Sequence, residues 1–225
     1  MIENYDVTGN FYEDEIFKYR RFLNIKRKGI DVNKNDLTVI MMNPGKSKPI
    51  IDDGKFEGEK ADKFVAACVD STLKQIIRVM DICDLNFAKV LNLSNIRNTN
   101  SSEFCGMVKK NDINDVHLIF SDENRKKLRE YDLNPDSVFL FACGNDRRLD
   151  LLRIRAQSRL NEMFPERKEL QTSHPNCWGS NKNTIWVNKT AIEIMKHFPK
   201  NAVSEKIKKC NDEIIAAKEK MKKNG

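Results

Sequence analysis

A chain of 225 residues is long enough to bury one proper core and short for two, which points to a single domain with terminal appendages. Hydrophobic residues make up 40% and charged residues 32%, yet Ile, Leu, Val and Phe recur in organised blocks, which excludes wholesale disorder. The longest apolar runs fall far short of the roughly 20 residues a membrane span needs, and 40 Lys and Arg against 33 Asp and Glu leave a net charge of +7 that favours an anionic partner without specifying any chemistry.

The opening Met1-Ile2-Glu3-Asn4 has neither the basic stretch nor the apolar core of a secretory signal, so a cytoplasmic protein is expected. Phe17 to Leu23 reads as a hairpin or edge strand feeding the first core strand. Leu37 to Met42 is a continuous apolar run closed by Asn43-Pro44-Gly45, the pattern of a strand buried on both faces and then a turn. Leu73, Ile76, Ile77 and Met80 follow at helical spacing, with Asp70 or Ser71 as N-cap. Phe87 to Leu93 is a second strand ending in Ser94-Asn95-Ile96-Arg97, followed by a helix from about Asp122 to Tyr131 with Ser121 as its cap.

After the Asn134-Pro135-Asp136 turn, Val138 to Cys143 is the third strand, closing in Gly144-Asn145-Asp146-Arg147. Leu149, Leu152, Ala156, Leu160 and Met163 mark a helix that Phe164-Pro165 stops. A fourth, less apolar strand, Glu169 to Thr172, leads into Ser173-His174-Pro175-Asn176-Cys177-Trp178, and a helix from about Asn188 to Phe198 covers it. Beyond Pro199, Val203, Ile207, Cys210, Ile214, Ala217 and Met221 alternate by four and three. That spacing predicts a lysine-rich C-terminal helix over 199–225, docked on a single α/β domain of 1–198. A dimerising coiled coil and a nucleic-acid arm are its alternatives, so a monomer is expected, with a dimer through this helix as the second option.

Strands alternating with helices make an α/β fold: three layers, α/β/α, with a four-stranded, mostly parallel central sheet. Ligands of such sheets sit beyond the carboxyl ends of the strands. The polar clusters at 43–47, 94–98, 143–147 and 173–178 all fall on that edge, which implies one site.

Gly45-Lys46-Ser47 after a buried strand invites a P-loop assignment, but Ile40 stands where that motif needs glycine and Pro44 removes a backbone donor. Lys46 and Ser47 remain candidates for phosphate contact. Cys143, His174 and Asp146 share the same edge as a conceivable nucleophile, base and orienter, against which a cysteine at a strand end is more often a small buried hydrophobe. His117 and His197 sit among apolar neighbours and read as structural, whereas His174 lies in the site edge. The six cysteines form no Cys-x-x-Cys pair and read as free thiols, with no metal site and no cofactor expected.

The order of these residues resembles the uracil-DNA glycosylase superfamily. An apolar strand then Asn43-Pro44-Gly45, a strand then Asn92-Leu93-Ser94, the strand Val138 to Cys143 then Gly144, and a late Ser173-His174-Pro175-Asn176 follow its motif order from about Leu37 to Trp178. The chain is similar, more closely, to a bacterial and phage family called domain of unknown function sixteen forty-three. That family's pattern is matched by Tyr19-Arg20-Arg21-Phe22-Leu23, Met41-Met42-Asn43-Pro44-Gly45, Asp70-Ser71-Thr72-Leu73, Asn92 through Arg97, Cys143-Gly144 and His174-Pro175.

The resemblance implies a hydrolase that cleaves the N-glycosidic bond of a flipped-out, modified or damaged base in DNA, bacterial or phage-encoded, serving DNA repair or phage defence. Such cleavage needs a positioned water and a donor for the charge developing on the departing base, and no metal. Asn43 would hold the water, Pro44 and Gly45 would let the backbone approach the nucleotide, and His174 would stabilise the leaving base. Asn92 or Asn95 would read the base edge. Lys46, Ser47, Arg97, Arg147 and Asn176 would hold phosphates, Gly144 and Asn145 would border the substrate, and Trp178 would act as wedge or stacking plate. The most active superfamily members carry Asp where Asn43 stands, and an amide orients water without accepting its proton. Asp70 is therefore the expected base, with Asp53 second. A non-catalytic nucleic-acid or nucleotide-binding module of the same fold is the alternative, and an enzyme on free nucleotides is a third.

Overall fold

The computed structural model describes residues 2–50, 64–175, 179–198 and 203–223. The N-terminal segment is a full antiparallel hairpin, β1 (Tyr5–Glu13) with β2 (Lys18–Arg27), in register from Tyr5 opposite Arg27 to Glu13 opposite Lys18 with an irregularity between Gly9 and Phe11. Then come β3 (Leu37–Met41), a short β4 (Phe64–Ala66), α1 (Ser71–Ile82), β5 (Phe87–Asn92), α2 (Ser101–Lys110) and α3 (Arg125–Glu130). The chain continues through β6 (Val138–Phe141), α4 (Asp150–Met163), β7 (Lys168–Gln171), α5 (Ser180–Met195) and α6 (Val203–Lys223).

The sheet is mixed, with seven strands in the order β4-β1-β2-β5-β3-β6-β7, which corrects the expected four. The four anticipated strands are its parallel half: Val39 pairs with Val90 and Leu140, and Leu140 with Leu170. The hairpin extends it because β2 lies antiparallel on β5, Leu23 opposite Val90. Every residue of β3, β5 and β6 is buried, as expected of strands covered on both faces. Leu37, Val39, Leu140 and Val90 share a core with α1, α5 and α6, while Ile40, Leu91, Phe139 and Phe141 share a second core with α2, α3 and α4. The period-2 alternation of each strand thus feeds two helix layers.

Helix α1 begins at the anticipated cap: Asp70 Oδ1 accepts from the Thr72 and Leu73 amides at 3.0 and 2.9 Å. Helix α3 starts later than expected, at Arg125, because the buried Asn124 side chain donates to the carbonyls of Val116 and Leu118 and ties the preceding segment into a turn. Helix α5 starts eight residues earlier than expected and ends at Met195. Helix α2 is not anticipated by the sequence pattern, since Asn100 and not an apolar repeat announces it. Helix α6 packs on this body through Cys210, Ile214 and Ala217, and Asn188 of α5 donates to Glu213 at 2.9 Å. No helix among the described residues is long and apolar enough to cross a membrane.

Candidate functional site

Because β5, β3, β6 and β7 are parallel, the loops after Met41, Asn92, Phe141 and Gln171 emerge on one edge. A cavity of about 630 Å³ opens there, within the range typical of small-molecule sites. The loop after β3 contributes Asn43, Pro44, Gly45 and Lys46. The loop after β6 contributes Gly144 and Asn145, the segment after β7 contributes His174, and the α1 cap contributes Asp70.

Backbone geometry explains two of these positions. Gly45 has φ +58 and Gly144 φ +83, values that side chains with a Cβ adopt only under strain. A Cβ at Gly144 would stand 3.7 Å from that of His174, so the ends of β6 and β7 are in contact here. Asn43 is 8% exposed, and its Nδ2 donates to the Asn98 carbonyl at 2.8 Å, which pins the loop after β5 across the mouth of β3. The amide nitrogen is thereby used, and among the described residues Oδ1 has no donor. Asp70 is held as firmly, its Oδ1 fixed by two helix amides and its Oδ2 open.

Other anticipated residues lie elsewhere. Asn92 is wholly buried and does not line the cavity. With its amide oriented to suit both neighbours, Nδ2 donates to the Asn43 carbonyl at 3.2 Å and Oδ1 accepts from Arg20 Nη2 at 3.1 Å. Asn95 is 4% exposed, and its backbone ties to Arg20 and His117. Ser47 is wholly buried, its amide closing the turn on the Pro44 carbonyl. Arg97 lies over the Phe11 ring, 5.8 Å from its centroid, outside the cavity wall. Arg147 is exposed and does not line the cavity, whereas its neighbour Arg148 does. Asn176, Trp178 and Asp53 lie outside the described residues.

Cys143 is buried, as a small hydrophobe at a strand end is expected to be, and two contacts weigh against a triad. Cys143 Sγ donates to the Ile40 carbonyl at 3.2 Å, and burial pushes the thiol up to about 12, so it carries no thiolate at neutral pH. Asp146 is paired with Arg148 at 2.6 Å. His117 stacks on Tyr19 at 4.8 Å, away from the cavity. Among the described residues no group of three His, Cys, Asp or Glu side chains is placed to hold a metal ion.

Arg20, Asn98, Thr99, Ser101, Ser102 and Arg148 also line the cavity and were not anticipated as site residues. A signal existed for Arg20, a charged residue between Tyr19 and Phe22 in an otherwise strand-like run. None existed for the α2 serines, because no apolar repeat marks their helix.

Hydrogen bonds from the Arg148 guanidinium and amide hold the Asp146 carboxyl well below its ordinary 3.8. The folded value lies below the unfolded one, so the pair stabilises the fold above about pH 4 and that contribution is lost as pH falls through the folded value. Side-chain exposures of 34% and 37% mean that solvent screens it, so the effect is modest. The urea midpoint of the wild type is expected to fall on acidification from about pH 5 to about pH 2, and Asp146→Asn is expected to flatten that fall.

A scan of protein-family models, a search of curated proteins and a search of solved structures each found no match to this chain.

Proposed function

We propose that the chain is a monofunctional DNA glycosylase-like hydrolase with a fold of the uracil-DNA glycosylase type, acting on a flipped-out base in DNA. The observation that carries this reading is the placement of Asn43, Asp70, Gly144 and His174 around one cavity at the carboxyl edge of the parallel strands. Asn43 Oδ1 and Asp70 Oδ2, the two open oxygens, would hold the attacking water. Its oxygen bonds to C1′ of the sugar as the glycosidic bond breaks, the bonding pair leaves with the base, and the water's proton passes to Asp70. His174 donates to the base as negative charge develops there. Gly45 and Gly144 leave room for the sugar and base to approach the backbone.

Incubation of the protein with DNA carrying varied bases, followed by mass spectrometry of free base and abasic sites, tests the proposal. Encounter with DNA belongs to the loop cations. Lys46 lines the cavity, Arg147 lies in the loop after β6, and both are exposed and make no ion pair among the described residues. Lys46→Ala and Arg147→Ala are each expected to weaken DNA binding without loss of stability, and to lower the slope of log affinity against log salt by about 0.7 to 0.9 for each phosphate left without its cation. Affinity flat across a salt titration would remove nucleic acid as the partner.

A second reading, a non-catalytic nucleotide-binding module, draws on the commitment of side chains to structure: Asn43 Nδ2 to Asn98, Asp70 Oδ1 to α1, and Asp146 to Arg148. It predicts the same binding with no base release.

A further inference from the structure

Arg20 is the cavity residue that the hydrolysis leaves without a task. It sits on β2 with 2% of its surface exposed, yet it borders the cavity. Asn92 satisfies Nη2, while Nε is buried with no hydrogen-bond partner. Arg20 makes no ion pair with a carboxylate of the described residues. Burial pulls it down to about 10, opposed by the charge of Asp70 and reinforced by Arg97, so it stays charged at neutral pH. A buried guanidinium with no direct counter-charge is unfavourable, and a bound anion at the cavity wall would offset that cost.

The surroundings carry donors beside the open oxygens of Asn43 and Asp70. Helices α1 and α2 both begin in the cavity wall, with Ser71, Thr72, Ser101 and Ser102 lining it. Their first-turn amides at Thr72, Leu73, Ser102 and Glu103 are already capped by Asp70 and Asn100. The helices therefore contribute the positive ends of their dipoles and their hydroxyls, and the charge must come from side chains. Lys46 adds a second cation. Of the two carboxylates in the wall, Asp146 is neutralised by Arg148 and Asp70 has one oxygen occupied. A guanidinium charge in such a wall suits an oxyanion with several lone pairs.

We infer that Arg20 is an anion-binding residue of the cavity and takes a phosphate group of a nucleotide ligand. The inference deepens the nucleotide reading of the site and is independent of bond cleavage. Two sources supply this chemistry, a phosphate of a DNA strand and that of a free nucleotide.

Calorimetric titration of the full chain with inorganic phosphate, a deoxynucleoside 5′-monophosphate, the matching deoxynucleoside and a single-stranded oligonucleotide tests it. Phosphate and the monophosphate are expected to bind and to raise the unfolding temperature. The nucleoside is expected to bind at least ~10-fold more weakly than the monophosphate. Arg20→Met, with its melting curve recorded to show that it folds, is expected to cut monophosphate affinity by ~100-fold. Should that variant fail to fold, Arg20→Lys keeps the charge, loses the fork and is expected to weaken the monophosphate ~10-fold. Tighter binding of the oligonucleotide assigns the phosphate to a strand, and tighter binding of the monophosphate assigns it to a free nucleotide. Equal wild-type affinity for nucleoside and monophosphate, or unchanged affinity in a folded Arg20 variant, overturns the inference. Base release is assayed separately, so a protein that binds phosphate and releases no base sinks the glycosylase proposal alone.

Discussion

His174→Ala is expected to slow base release by ~100-fold or more while DNA affinity stays within about twofold of wild type. His174 follows β7 and meets Gly144 at the end of β6, the place on the cavity wall where two parallel strands touch. A donor there is of little use to the intact nucleotide, whose base carries no net charge, and becomes favourable only as the glycosidic bond stretches. Loss of an interaction made only in the transition state lowers the rate and spares binding. If His174 merely ordered the turn after β7, its removal would lower stability and affinity together. Single-turnover release measured beside a binding isotherm and a melting curve separates the two outcomes.

The second large effect is expected at Asp70, where the cap of α1 and the proposed base are one carboxylate. Oδ1 caps α1 and Oδ2 is open. Asn is as good an N-cap as Asp, so Asp70→Asn should leave the melting temperature nearly unchanged while removing the acceptor for the water's proton, at a cost of ~100-fold or more in release. Asp70→Ala removes both functions and should lose a further ~1 kcal/mol of stability. Base release retained in Asp70→Asn would leave Asp70 as a cap and nothing else. The comparison is informative because the two variants differ in capping and agree in lacking a carboxylate.

How much of this was legible in the sequence depended on whether a residue's surroundings repeat. Leu37 to Met41, Phe87 to Asn92 and Val138 to Phe141 announced themselves because strands buried on both faces must be apolar throughout. The strand ends then located Asn43, Gly144 and His174, since parallel strands share a carboxyl edge. The hairpin strand β1 was missed because the alternation of Tyr5-Asp6-Val7-Thr8 is short and breaks at the buried Gly9-Asn10, and its pairing partner, β2, is charged along much of its length. The resemblance assigned Asn92 or Asn95 to a base edge, whereas in the fold the first turns inward to join Asn43 with Arg20 and the second holds β2 by its backbone. Position along a strand tells which edge a residue is on. Which way its amide points is decided by the buried charge beside it, and Arg20 comes from a strand 72 residues earlier.

The central claim is that the cavity at the carboxyl edge breaks an N-glycosidic bond, and the direct measurement is product stoichiometry. Wild-type protein incubated with bacterial and phage DNA, modified bases included, is expected to yield free base and abasic sites in equal amounts, with neither produced by Asp70→Asn. DNA that returns intact, with no free base from any substrate at enzyme concentrations that saturate binding, would contradict the claim.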